Sequence, residues 1–146
     1  MTLILDASVA VGWHITRNEP QEAARAQEVL QFVMSQSALV PFLWYTEVAN
    51  AILVAERRQV SDPQSSARFL ADLESLPIAM DNASPHSLQT KTLDLARTHQ
   101  LTAYDATYLE LALRRNASLA TFDRQLADAF RKAGGHIFGD LPQAKS

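Results

Sequence analysis

The sequence predicts an α/β fold, a mostly parallel sheet with helices on both faces. Three observations predict it. Short apolar runs recur along the chain, such as Leu3-Ile4-Leu5 and Ser118-Leu119-Ala120-Thr121. Longer stretches with helical spacing separate them, which is the signature of βαβ units. Acids stand directly after the runs or at the helix starts that follow, where the carboxyl edge of a parallel sheet places its sites.

The elements follow in order. The first strand runs from about Thr2 to Asp6, and a short helix covers Ala7 to Trp13. Glu19-Pro20 starts a helix to about Ser35, with proline at a favoured first position. Ala38 to Val40 is the second strand, ended by Pro41. Val48, Ala51, Ile52 and Ala55 give a helical spacing over Trp44 to Arg58. Ser61-Asp62-Pro63 caps a helix to about Leu76, and Pro77 to Met80 is the third strand. Ser84-Pro85 starts a helix ending near His99, and Ala106 to Arg115 forms another. Leu119 to Thr121 is the fourth strand; Arg124 to Ala133 is a helix closed by Gly134-Gly135. His136 to Phe138 is a short fifth strand, and Gly139 to Ser146 reads as loop.

The bulk properties narrow the chemistry. A chain of 146 residues, 47% hydrophobic and 20% charged, is most simply one globular domain over residues 1–146. It has no cysteine, which excludes disulfides and thiolate metal sites. Its four histidines show no ligand spacing, so any metal is held by oxygen, which favours Mg²⁺ or Mn²⁺. With four glycines and no Gly-x-Gly-x-x-Gly or Walker loop, nucleotide cofactors are disfavoured. The start lacks a basic leader, and no run reaches the ~18 apolar residues of a membrane span, so the expectation is a cytoplasmic protein with no membrane partner. The net charge of −3 argues against broad nucleic-acid binding. It leaves room for a local basic rim from Arg57-Arg58, Arg114-Arg115, Arg124 and Arg131-Lys132.

Four acids carry the functional argument: Asp6, Glu47, Asp105 and Asp123. Asp6 ends the first strand, and Ser8 stands where it can bond to it. Glu47 shares a helix face with Asn50, three residues on. Asp105 opens a helix, and Asp123 follows Thr121 at the end of the fourth strand. Singly, each has a bland explanation: an N-cap for Asp6, Asp105 and Asp123, and a first-turn glutamate for Glu47. Capping does not explain why all four fall on one edge. Acids gathered there repel each other unless a divalent cation sits among them. Asp81 reads as turn and cap chemistry.

Leu5-Asp6-Ala7-Ser8, Val40-Pro41…Trp44…Glu47-Val48-Ala49-Asn50, Tyr104-Asp105-Ala106…Tyr108-Leu109 and Ala120-Thr121-Phe122-Asp123 resemble the motifs of PIN-domain nucleases. Within that family the chain resembles the VapC-type ribonuclease toxins of type II toxin–antitoxin modules. The resemblance runs nearly end to end. It implies a three-layer α/β/α sandwich with about five parallel strands in the order 3-2-1-4-5, and Mg²⁺- or Mn²⁺-dependent cleavage of RNA. It implies Asp6, Glu47, Asp105 and Asp123 as the acidic quartet, with Ser8, Thr121 and Asn50 in support. It also implies homodimers and a cognate antitoxin in the cleft. Asp6, Asp105 and Asp123 are the expected metal ligands; Glu47 either binds metal or orients the attacking water.

Three rivals stand beside this reading. A metal-dependent phosphatase or phosphotransferase would use Asp6 as nucleophile, but Ser8 occupies the place of the second aspartate. A phosphoacceptor receiver domain fails similarly, since early paired acids are missing and Lys132 lies in a helix. A non-catalytic interaction module, with the acids only as caps, is the rival from another class.

Overall fold

The computed structural model describes residues 1–140. Four strands, β1 (Leu3–Leu5), β2 (Ala38–Val40), β3 (Ile78–Met80) and β4 (Ser118–Ala120), form one parallel sheet in the order β3-β2-β1-β4. Seven helices connect and cover them: α1 (Ala7–Val11), α2 (Pro20–Gln36), α3 (Leu43–Arg57), α4 (Pro63–Ser75), α5 (Pro85–His99), α6 (Ala103–Arg114) and α7 (Arg124–Lys132). Ile4 stands opposite Leu39 on one side and Leu119 on the other. The chain builds outward from β1 to β2 and β3, then returns to add β4 on the far side. That reversal makes the carboxyl ends of β1 and β4 the switch point, where open α/β sheets form their crevice.

Sequence accounts for most of this. β1 lies between two strands and under helices, so all three of its residues are buried and none alternates with a polar residue. On α2 the buried residues are Ala26, Val29 and Val33, a single helical stripe. Trp44, Val48 and Ile52 of α3 and Leu109, Leu111 and Tyr108 of α6 complete the core with Leu126 and Phe130 of α7. Leu109 is wholly buried, a burial worth about 1.5–3 kcal/mol. Pro20, Pro63 and Pro85 each take the first helical turn. Asp62 caps α4 by accepting from the Ser65 amide at 2.9 Å.

Two expectations need correction. The fifth strand is not found among the described residues. Its segment makes one parallel bridge, Ile137 to Leu119, beside β4 where a fifth strand would add. Gly134 (φ 89°) and Gly139 (φ 95°) turn the chain on either side, leaving too few extended residues for a ladder. Residues 141–146, expected to be loop, lie outside the described residues. Second, α6 begins at Ala103, three residues earlier than its apolar pattern suggests. Thr102 is the cap, its Oγ1 accepting from the Asp105 amide at 3.1 Å. Among the described residues, no helix is long and apolar enough to cross a membrane.

Candidate active site

Asp6 follows β1 at the switch point and is 7% exposed. It occupies the N-cap position of α1 but makes no side-chain capping bond. Its Oδ2 instead accepts two hydroxyls, from Ser8 and Thr121, each at 2.7 Å. Each hydroxyl in turn accepts a backbone amide: Phe122 donates to Ser8 Oγ at 3.1 Å, and Asp123 donates to Thr121 Oγ1 at 3.0 Å. A hydroxyl has one hydrogen, so an incoming amide commits it to donate to the carboxylate. The carboxylate is thereby fixed between α1 and the turn after β4. Burial pushes the Asp6 pKa up against the pull of Thr121 and Ser8, and the charge of Asp123 pushes it further.

Glu47 lies in the second turn of α3, since the helix starts at Leu43, so it is not the first-turn glutamate that the helix dipole favours. Its Oε1 accepts the hydroxyl of the buried Tyr108 at 2.6 Å. Burial raises the Glu47 pKa, the Tyr108 bond lowers it, and the charges of Asp6 and Asp105 raise it again. Asp105 sits in the first turn of α6, where Thr102 has already taken the capping role. Its pKa is pushed up to about 6 by burial and by the charges of Asp123 and Asp6. Asp123 is a true cap: its Oδ1 accepts from the Leu126 amide at 2.8 Å. Capping therefore explains Asp123 alone of the four.

The acids thus share one electrostatic neighbourhood. Among the described residues none of the four makes an ion pair. Nor is any group of three or more Asp, Glu or His side chains there already arranged around a single ion. The site has the hard oxygen donors and the unneutralised charge for a divalent cation, but not a closed cage. Asn50 is exposed one turn beyond Glu47, and its side chain makes no hydrogen bond among the described residues.

The other candidates separate clearly. Asp81 is held by both guanidinium nitrogens of Arg114, at 3.2 and 2.6 Å, and Arg114 also grips the buried Glu110. Burial would raise the Asp81 pKa, but Arg114 outweighs it and holds the carboxyl low. Arg114 and Arg131 are consumed in ion pairs, so they do not form a basic rim. Arg57, Arg58, Arg115 and Arg124 are exposed and make no ion pair among the described residues. Two neighbours were given no role in the site by sequence reasoning. Arg17 stacks over the Phe122 ring at 4.7 Å, with no signal in the sequence to join them. Tyr108 had a signal: it lies three residues after Asp105, on the same helix face.

Fold and acids together define an α/β protein with a group of electrostatically coupled acids at the switch point of its sheet. Comparison with known proteins narrows the class. A model of the PIN domain matches residues 3–132. The chain is 29% identical over 130 residues to Ribonuclease VapC3 of Pyrobaculum aerophilum, covering 89% of this chain and 95% of that protein. It is 34% identical over 102 residues to Ribonuclease VapC1 of Mycobacterium tuberculosis, covering 69% and 74%. A solved toxin–antitoxin complex from Klebsiella pneumoniae shares the fold, with a TM-score of 0.58 at 16% identity over 84% of this chain and 87% of that one. The chain belongs to the PIN-domain family, in its VapC-type branch.

Proposed function

We propose that this protein is the ribonuclease toxin of a type II toxin–antitoxin pair, and that it cuts RNA phosphodiester bonds at the acidic group with Mg²⁺ or Mn²⁺. One observation carries the chemistry: four carboxylates are electrostatically coupled at the switch point, and among the described residues no cationic side chain is paired to them. Such a cluster is stable when ionised only with a cation among it. The donors are all hard oxygens, which suits Mg²⁺ or Mn²⁺.

Asp6, Asp105 and Asp123 would hold the ion, with Glu47 as a further ligand or as the group that orients water. When bound, the ion supplies charge neutralisation at the phosphate and an activated water. The chain does the rest. Ser8 and Thr121 keep Asp6 in one orientation and favour its charged form. The Leu126 amide holds one oxygen of Asp123 and leaves the other free of that bond. Tyr108 fixes one oxygen of Glu47, so the second has a defined direction. In the orienting role, Glu47 accepts a proton from the attacking water.

The relatives' names, Ribonuclease VapC3 and Ribonuclease VapC1, support RNA as substrate. The fold shared with a toxin–antitoxin complex supports an antitoxin as partner. A homodimer is the expected assembly of the free toxin.

The test is cleavage of labelled RNA by purified protein with Mg²⁺ or Mn²⁺, against chelator. Cleavage should need the metal and disappear in Asp6→Asn and Asp105→Asn with circular dichroism unchanged. Cleavage that survives chelation, or that both variants retain, overturns the proposal.

A further inference from the structure

We infer that Tyr108 is a positioning residue for Glu47: its hydroxyl, held in the core, sets the carboxylate's direction toward the neighbouring acids. The inference rests on the acidic site proposed above. Tyr108 is 0% exposed, so it does not touch RNA. Its Oη donates to Glu47 Oε1 at 2.6 Å, across 61 positions of sequence. Phenylalanine would fill the same space without needing a partner, whereas a buried hydroxyl is costly unless bonded. The bond uses one oxygen of Glu47 and leaves the other free of that bond, with Asp6 and Asp105 as its charged neighbours.

The arrangement couples two acids through one helix. Asp105 and Tyr108 are three residues apart on α6, so they share a face. α6 therefore carries one carboxylate directly and grips a second through the phenol. Burial of Ala106, Leu109 and Leu111 anchors that helix to the core.

Partners that orient a metal ligand typically contribute about 10–100-fold in metal affinity or activity. Calorimetric titration of Mn²⁺ into the protein without RNA gives a readout apart from catalysis. Tyr108→Phe should bind Mn²⁺ roughly 10–100-fold more weakly and lose kcat with KM for RNA unchanged. Adding it to Glu47→Ala should cause little further loss, because the phenol acts through that carboxylate. The ultraviolet spectrum of tyrosine gives a reading that leaves the ring unmutated. Mn²⁺ should shift it in the wild type and leave it unshifted in Glu47→Ala; an equal shift in both overturns the inference. Wild-type Mn²⁺ affinity in Tyr108→Phe, with Asp6→Asn deficient, overturns the Tyr108 inference alone. Absence of Mn²⁺ binding by the wild type overturns the site and this inference together.

Discussion

Thr121 donates its hydroxyl to Oδ2 of Asp6 at 2.7 Å, joining the carboxyl ends of β4 and β1 across 115 positions of sequence. The Asp123 amide behind it fixes the direction of that hydrogen. Asp6 is nearly wholly buried, so a lost donor cannot easily be replaced by water. Thr121→Val keeps the side chain's shape and removes the donor. It should cost roughly 1–3 kcal/mol of stability. It should also lower metal-dependent cleavage about 10–100-fold. Ser8→Ala should act in the same direction, since it donates to the same oxygen. Thermal melting and cleavage rates of the two variants check this; wild-type values in both would mean the hydroxyls are incidental.

Asp105 gives a pH signature. Its pKa rises from 3.8 in the unfolded reference to about 6 in the folded chain. A carboxyl raised on folding contributes stability that is complete below the unfolded value and lost as pH rises through the folded one. Metal-free protein should therefore lose that contribution between about pH 4 and about pH 6, and Asp6 and Glu47 act in the same direction. Asp81 and Asp140 are shifted down and oppose this only in more acidic solution. Asp105→Asn should raise the melting temperature near pH 7 in chelator. Discounted for its solvent exposure, the gain is on the order of 1 kcal/mol, or roughly 3 °C. The gain should vanish near pH 4. Parallel melting curves for wild type and variant across the range would count against the electrostatic coupling.

Much of the fold was legible because local rules and tertiary packing agreed. The run Ala38-Leu39-Val40 is a strand with the expected ends, and Pro20, Pro63 and Pro85 mark helix starts. Failure came where a boundary depended on a polar bond that periodicity does not record. α6 starts at Ala103 because Thr102 caps it, which changes Asp105 from a supposed cap into a first-turn acid. His136 to Phe138 has strand-like composition but two flanking left-handed glycines. In the site, the short-range pair Asp6 and Ser8 was readable from spacing. The hydrogen bond from Tyr108 to Glu47 and the stacking of Arg17 on Phe122 cross long stretches of chain and left no local pattern that joins the partners.

The toxin reading predicts a cellular effect. Induction of the wild-type protein alone should arrest growth, and co-expression of its antitoxin should relieve the arrest. Asp6→Asn should accumulate to the same soluble level without arrest, because it keeps the fold and loses the charge that Ser8 and Thr121 hold in place. Colony counts after induction, with soluble protein measured alongside, decide this. Arrest by the variant equal to wild type would separate toxicity from the acidic site.

Asp123 is the residue where structure and chemistry overlap, and two substitutions pull them apart. Its Oδ1 caps α7 through the Leu126 amide at 2.8 Å, while its charge acts on Asp6 and Asp105. Asparagine can accept the same amide bond, so Asp123→Asn should keep the cap and remove only the charge. Its melting temperature should match or exceed the wild type in chelator, and its metal-dependent cleavage should fall at least 10-fold, at the scale seen for disturbed metal sites. Asp123→Ala removes both and should lose about 1 kcal/mol of stability besides. If Asp123→Asn cleaves RNA as well as the wild type, Asp123 is a cap and nothing more, and the ligand core shrinks to Asp6, Asp105 and Glu47.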